Sequence, residues 1–359
     1  MEKEFYRYVD KVVPELFKMA SLKPSLQVAE TGEDILHYLT ETENATGEKG
    51  VSVQSDEIEE KNIGIQMMCV IVDELEELYA DYIEETSNLF LSLLDFRYNV
   101  SIREAVADTL GTMLKAAKAK FTPEETLAYA QRYITALFQT MGKESDVNVM
   151  QHQVHGIKQC IDVMGEFLNE HQVNQMKDIL FTAIHKSDTR KHMNFKYTEE
   201  NEQSDDEVDK QNREFMEEEN EMEDDLQLSI SDAFGALFKT HKNHCSELLK
   251  DLFTEKLPEY LNEEAAIVKQ KFALYIVVDL VEHLGLEILG EKYQDCFEVI
   301  AKYSQHINPI LRQASVYGLG MSAKQGGEYF KTYSQDTIDR LKFVIDMEIG
   351  SQEKIEFLH

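Results

Sequence analysis

The sequence predicts an all-α protein: a right-handed superhelical solenoid of HEAT repeats with about six and a half helix pairs over residues 1–359. Helix formers are abundant, and only 5 prolines and 16 glycines interrupt a chain that is 43% hydrophobic. Apolar residues recur at intervals of three and four almost throughout. Two similar strings also occur in the chain, NVSIREAVADTLG from Asn99 and NPILRQASVYGLG from Asn308. Such internal similarity is typical of repeat folds.

The apolar period divides the chain into helices that alternate with short breaks. One stripe, for example, consists of Ile63, Met67, Val70, Ile71 and Leu75. A long polar loop is expected at 21–56 and an acidic insertion at 187–225. The predicted pairs are 3–20 with 57–79, 82–94 with 101–118, 124–141 with 147–167, 170–195 with 224–241, 244–260 with 263–284, and 287–305 with 309–324, and a seventh pair begins near 327.

The pairs recur every forty to fifty residues, which is the length of HEAT or armadillo units. A helix hairpin cannot bury all of its apolar surface alone, so each one stacks on the next. Both copies of the repeated string fall at the start of a second helix. There Asn99 and Asn308 are expected to cap the helix. Arg103 and Arg312, four residues later, are expected to reach a carboxylate or a turn carbonyl of the adjacent repeat, as a structural ladder.

The chain is strongly acidic, with 36 basic and 68 acidic residues and a formal net charge of −32. Such a charge disfavours binding to nucleic acid and to anionic membranes and attracts basic partners. Residues 199–225 alone contain 15 acidic and 2 basic residues. We expect this insertion to be loop, or partly helical and mobile. It is either a solubilising linker or a polyanion that captures basic surfaces through Asp205, Asp206, Glu207, Glu217, Glu218 and Glu219.

The sequence shows no constellation typical of catalysis, and we expect no catalytic residues, no cofactor and no metal. The pairs His152/His155 and His241/His244 lack further ligands at zinc-site spacing. The glycines of YGLGMSAKQGG lack the lysine and the preceding strand of a phosphate-binding loop. The four cysteines are far apart in apolar stretches and read as buried reduced thiols, typical of the cytosol or nucleus. No apolar signal segment or membrane span is evident.

The second helix of each HEAT pair usually lines the concave surface, which is the surface that such proteins use for binding. Acidic residues recur on the predicted exposed faces of these helices. Together they would form a negative trough suited to segments rich in Lys and Arg. Each of them alone reads as an ordinary surface charge. The cargo-binding candidates are Asp73, Glu74, Glu77, Asp108, Asp162, Asp279 and Glu282.

Five strings, in order along the chain, carry a resemblance to a known family: YVDKVVPELFKMASLKP, EEKNIGIQMMCVIVDEL, KQCIDVMGEFLNEHQ, SISDAFGALFKTHK and RQASVYGLGMSAKQGGEYF. They resemble the importin-β (karyopherin-β) family of nuclear transport receptors, and within it the importin beta-three branch. The last string has the Arg-Gln-Ala start, the Tyr-Gly-Leu-Gly centre and the Gly-Gly close of a HEAT segment of that branch. The resemblance covers nearly the whole chain and matches the middle-to-late part of these much longer receptors.

This resemblance implies a non-enzymatic receptor that shuttles between cytoplasm and nucleus through the nuclear pore. Its partners would be basic cargo carrying nuclear localisation signals, Phe-Gly nucleoporins, and Ran-GTP, which releases the cargo. The repeats that make the family's principal Ran contact have no counterpart here, and the chain contains no Trp. The alternative is a HEAT-repeat scaffold subunit of a multiprotein complex, which would ignore Ran-GTP and Phe-Gly peptides.

Overall fold

The structure is a computed structural model that describes residues 6–23, 26–28, 51–53, 55–201 and 206–356. The chain divides into two compact units, residues 1–163 and 164–359. Within the described ranges, the first unit contains three helix pairs. The second contains three more pairs and a further long helix. All-α architecture is therefore confirmed, and the single solenoid over 1–359 stays a prediction.

The helices of the first unit begin with a short 3₁₀ turn at Tyr6–Tyr8. Another 3₁₀ segment, Glu76–Tyr82, connects the second helix to the third. The helices are α1 (Val9–Ala20), α2 (Ser55–Leu75), α3 (Ile83–Leu91), α4 (Val100–Lys120), α5 (Pro123–Met141) and α6 (Val147–Met164).

The second unit continues the alternation with longer helices. A π-helical segment, Leu252–Lys256, joins α9 to α10, and a 3₁₀ turn at Lys331–Tyr333 precedes the last helix. The helices are α7 (Glu170–Glu200), α8 (Glu207–Thr240), α9 (Ser246–Asp251), α10 (Leu257–Tyr260), α11 (Ile267–Leu289), α12 (Lys292–Tyr303), α13 (Pro309–Phe330) and α14 (Ser334–Glu356).

Three features differ from the sequence-based expectations. The predicted loop at 21–56 contains two short antiparallel strands, β1 (Leu26–Val28) and β2 (Val51–Val53), which pair Leu26 with Val53; residues 29–50 of that loop lie outside the described residues. The acidic insertion is largely helical, because α7 extends to Glu200 and α8 starts at Glu207. Helices α11 and α13 run past their predicted ends, with kinks at Gly285 and Gly327.

The predicted apolar stripe on α2 is wrong for three of its five members. Ile63, Met67 and Val70 are 47%, 46% and 59% exposed. The buried face consists instead of Ile65, Met68, Ile71, Val72 and Leu75. Almost every position from 63 to 72 is apolar, so the period alone did not distinguish the buried face from the exposed one.

The second helices pack on one another within each unit and so position the surface of interest. Helix α2 packs on α4 in the first unit, and α8, α11 and α13 pack in succession in the second. Helix α6 approaches α4 through Gly156, which lies against the backbone of Ala107. Because their inner faces are buried in these contacts, the remaining faces of the second helices are open to solvent, and they carry both acidic residues and exposed apolar residues such as Met67. No helix in the described ranges is long and apolar enough to cross a bilayer.

The repeated string performs the same local task in both units. Asn99 accepts a hydrogen bond from the Ile102 amide (2.9 Å), and Asn308 accepts from the Ile310 amide (2.9 Å), so each caps its helix. Arg103 donates to the Phe96 carbonyl (3.0 Å), and its Nε lies 3.0 Å from Oε2 of Glu144, which precedes α6.

Arg312 makes the corresponding contacts in the second unit. Its Nη1 donates to the carbonyls of His306 (2.9 Å) and Ile307 (2.6 Å), and its Nε donates to Oε1 of Glu348 on α14 (3.1 Å). In both copies, therefore, the arginine ties the preceding turn to a carboxylate of the next repeat.

Candidate functional site: acidic faces of the second helices

The first group of candidate carboxylates lies at the C-terminal end of α2 and just beyond it. Asp73, Glu74 and Glu77 are all exposed. Desolvation by neighbouring atoms raises the pKa of Asp73, and the nearby Asp108 carboxylate adds to this, whereas a hydrogen bond with Thr112 opposes it. The three carboxylates therefore give the end of α2 a concentrated negative charge.

Asp108 on α4 is not a free acceptor. One of its oxygens lies 2.6 Å from His152 Nδ1 and the other lies 2.8 Å from His155 Nδ1. Burial acts to raise the pKa of Asp108, but the hydrogen bonds from the two histidines hold it below its ordinary value. The hydrogen bond with Asp108 in turn raises the pKa of His152. His152 and His155 thus both form hydrogen bonds with Asp108. The negative charge of Asp108 is partly neutralised when these rings are protonated.

Asp162 on α6 is exposed and paired with Lys158, whose Nζ lies 2.8 Å from Oδ2. This pair joins residues one helical turn apart, a geometry that contributes little to stability in water. Asp162 therefore presents a partly compensated charge, unlike Glu74 and Glu77.

In the second unit, the structure brings Asp279 and Glu282 of α11 together. Asp279 is half-buried; desolvation raises its pKa to about 7, and the carboxylates of Glu282 and Asp232 add to the effect. Glu282 accepts a hydrogen bond from the Tyr317 hydroxyl of α13 (2.7 Å). This face therefore combines carboxylates from α8 and α11.

The acidic insertion forms an antiparallel helical hairpin rather than a loop. Its basic residues are used internally: Arg190 pairs with the buried Glu223, with Nη2 3.0 Å from Oε2, and Lys191 pairs with Asp224. Gln227 continues the contact by donating to the Ser187 hydroxyl (2.9 Å). Glu223 of α8 is therefore buried in the hairpin, whereas Glu217 and Glu218 are exposed.

The six acidic-insertion candidates occupy different positions. Asp205 lies outside the described residues. Asp206 caps α8 by accepting from the Val208 amide (2.9 Å). Glu207, Glu217 and Glu218 are exposed, and Glu219 is half-buried. Only part of the candidate set, including the exposed Glu207, Glu217 and Glu218, therefore contributes to the acidic surface of the hairpin.

The sequence reasoning missed Asp232, and it did not connect His152 and His155 with Asp108. Asp232 lies on α8, 47 residues before Asp279 and 50 before Glu282, and no local pattern indicates that they meet. The spacing of the two histidines does place them on one helix face. Only the packing of α6 beside α4 shows which carboxylate they contact.

A different histidine, His241, ends α8 and is fully buried. Its Nε2 accepts hydrogen bonds from the amides of Phe167 (3.1 Å) and Leu168 (3.0 Å), just before α7. Burial lowers the pKa of His241 to about 4, and the nearby His244 also lowers it, against the opposing effect of Glu166. The neutral ring therefore connects the end of α8 to the start of α7.

We expect the stability of the second unit to depend on pH through His241. Its pKa in the folded state is below the unfolded value of 6.5, so the unfolded chain binds more protons between these values. The contribution of neutral His241 to the free energy of unfolding is complete above pH 6.5 and is lost as the pH falls through 4. Replacing His241 with Ala should lower the free energy of unfolding at pH 7.5 by about 1–3 kcal/mol, because two buried amides lose their acceptor.

Urea unfolding followed by circular dichroism between pH 4.5 and 7.5 tests this expectation. The difference in stability between wild type and His241→Ala should shrink as the pH falls. The exposed His185 provides a control, since His185→Ala should leave the pH dependence unchanged. A constant difference across the range would contradict the role assigned to His241.

The comparisons with known proteins agree with the fold. The family "Importin repeat 6" matches residues 149–262. The protein called "Probable importin-5 homolog" from Dictyostelium discoideum is 21% identical over 314 residues, which are 83% of this chain and 28% of that protein. The chain therefore spans under a third of the length of this relative.

Solved karyopherin structures show the same fold. The crystal structure of Kap121p aligns with a TM-score of 0.75 and 19% identity over 98% of this chain and 32% of that one. Kap121p bound to RanGTP aligns with a TM-score of 0.75 and 17% identity over 96% and 31%. The complex with Pho4p aligns with a TM-score of 0.73 and 18% identity over 96% and 31%.

Together, the stacked helix pairs and the similar structures define the fold as the HEAT-repeat fold that the karyopherin structures share. The predicted fold class is confirmed in this respect. The importin repeat and the importin relative also confirm the resemblance to the importin-β family of nuclear transport receptors.

Proposed function

We propose that this chain is a segment of a nuclear transport receptor that binds basic cargo, without catalysis, through the acidic faces of its second helices. The observation that carries the proposal is the cluster of exposed carboxylates Asp73, Glu74 and Glu77 at the end of α2. Charge complementarity of this kind accelerates association and selects partners of opposite sign. Among the relatives, Kap121p has been solved in complexes with Pho4p and with RanGTP, which supports a role in transport.

The proposal predicts that a fluorescent peptide rich in Lys and Arg binds the chain in a salt-sensitive manner. Exposed charge pairs contribute roughly 0.2–1 kcal/mol each. Reversing all three charges, as Asp73→Lys, Glu74→Lys and Glu77→Lys, removes three attractions and adds three repulsions. We expect the affinity to fall by about tenfold to a hundredfold at low salt, measured by fluorescence anisotropy.

The matched control reverses three exposed acids on the first helices and their connections: Glu124, Glu255 and Glu298. It changes the net charge equally, so it should reduce the affinity only slightly. Raising the salt concentration should weaken wild-type binding, because exposed charges are screened. Equal losses in both triple variants, or binding that salt does not change, would overturn the electrostatic mechanism.

The proposal extends to release by Ran-GTP and to shuttling between cytoplasm and nucleus. In a full-length receptor that carries these repeats, a pulldown with and without Ran-GTP tests the release. Basic cargo should leave the receptor when Ran-GTP is added. Cargo that stays bound would favour the alternative, a scaffold subunit with a fixed partner.

Phe-Gly nucleoporin segments, the other proposed partner, require an apolar groove. One lies between first helices, with a volume of about 330 Å³. Val13, Pro14 and Phe17 of α1 form one wall, and Tyr82 and Glu85 form the other. Lys18 and Ser21 complete the lining. A phenylalanine ring fits against Phe17 and Tyr82, so we assign this groove to Phe-Gly contacts within the proposed function.

A further inference from the structure

Three side chains with metal-binding groups, two carboxylates and one imidazole, meet on one turn of α11. They are Asp279, Glu282 and His283, and one potential ligand atom from each lies within 4.8 Å of the others. Positions separated by three and four residues share one face of a helix. The meeting of the three groups is therefore set by the helix itself and needs no rearrangement of the fold.

The Asp279 carboxylate is held against the backbone of the neighbouring helix. It lies beside Gly235 of α8, where an added Cβ would come within 2.3 Å of Asp279 Oδ2. Within the described residues, no hydrogen-bond donor or cation contacts this carboxylate, and its charged neighbours, Glu282 and Asp232, are acidic. Such a partly desolvated carboxylate favours a proton or a bound cation.

The other two groups are also prepared for a cation. The Tyr317 hydroxyl donates to one oxygen of Glu282 (2.7 Å), which fixes the orientation of the carboxylate and leaves the other oxygen available. Hydrogen bonds of this kind orient metal ligands in known sites. Burial lowers the pKa of His283, and the nearby Lys239 and Lys242 lower it further, against the effect of Glu282. The imidazole of His283 supplies the third potential ligand of the cluster.

We propose that Asp279, Glu282 and His283 form a zinc-binding site on α11. One imidazole and two carboxylates are ligands that zinc accepts, whereas magnesium and calcium prefer oxygen ligands alone. Three protein ligands leave a fourth position for water. The bound ion would neutralise the carboxylate charge that no described cation compensates. This inference goes beyond cargo binding and stands whether or not the chain binds basic peptides.

Isothermal titration of zinc chloride into the metal-free chain at pH 7.4 tests the site. We expect one ion per chain, and at least tenfold weaker binding in each of Asp279→Asn and His283→Ala. Gly235→Ala should also weaken binding, because the added methyl displaces Asp279 without removing a ligand. Magnesium chloride should give no comparable signal.

His185→Ala is the matched control, since it removes an exposed histidine elsewhere in the second unit and should leave zinc affinity unchanged. Circular dichroism verifies that each variant is folded; if Gly235→Ala is not, the two ligand variants decide the outcome. Zinc should also raise the Tm of the wild type and not that of Asp279→Asn, because a ligand stabilises the state that binds it. Zinc affinity that is equal in wild type, Asp279→Asn and His283→Ala would overturn the proposal.

Discussion

Gly156→Ala is expected to lower the free energy of unfolding by about 3 kcal/mol, the upper part of the range for overpacked cores. An added Cβ at this position of α6 would lie 2.4 Å from the carbonyl oxygen of Ala107 on α4. The obstacle is backbone in the middle of a buried helix, and a backbone atom cannot rotate aside as a side chain does. The two helices must therefore separate, which weakens the packing along their whole contact.

Urea unfolding of Gly156→Ala and of Gly320→Ala gives a clean comparison. Both glycines lie in second helices, but no atom lies within 4 Å of a Cβ added at Gly320. Alanine is the better helix former by roughly 1 kcal/mol, so Gly320→Ala should be neutral or stabilising. If the two variants lost stability equally, the close approach of α6 to α4 at Gly156 would be wrong.

Arg103→Ala should lower the free energy of unfolding by about 3–5 kcal/mol, as does the removal of one partner from a buried ion pair. Both side chains of the Arg103–Glu144 pair are nearly buried, with 11% and 10% of their surface exposed. The substitution leaves the Glu144 carboxylate without its cation and the Phe96 carbonyl without its donor. An unpaired buried charge is the largest part of this loss.

Arg312→Ala serves as the comparison, because Arg312 occupies the same place in the second copy of the string. Its partner Glu348 is 51% exposed and can be solvated by water after the substitution. We therefore expect a clearly smaller loss of stability for Arg312→Ala, measured by the same urea unfolding. Lys115→Ala, which breaks the exposed Lys115–Glu76 pair, provides a baseline. We expect it to lower the free energy of unfolding by less than about 1 kcal/mol. A loss for Arg103→Ala as small as this baseline would contradict the account.

Much of the fold could be predicted because helix period and capping are local properties. Asn99 and Asn308 occupy the N-cap positions of α4 and α13, and most predicted helix ends lie within a few residues of the observed ones. The kink at Gly285 is an instructive exception. The sequence indicates a helix end there, whereas the chain passes through a positive φ at this glycine and then resumes the helix.

The candidate site was predictable in its charge but not in its contacts. Asp108 was chosen for its position on a second helix, yet the structure binds it to two histidines of α6. Asp279 and Glu282 could be placed together from their spacing, but Asp232 and Tyr317 come from other helices. The acidic segment was expected to be loop or partly helical, and the structure makes it largely helical, with Arg190 and Lys191 of one helix paired with acidic residues of the other.

By itself the sequence determined the class of this protein: helix pairs, a repeated cap and arginine, and a large excess of negative charge. Only the tertiary structure decided what each repeated residue does. Gly111 and Gly320 hold the same place in the string, yet a Cβ would meet Gln159 at the first and nothing at the second. The reason is physical. Period and capping depend on neighbours in the chain, whereas burial, pairing and pKa depend on which helices pack together.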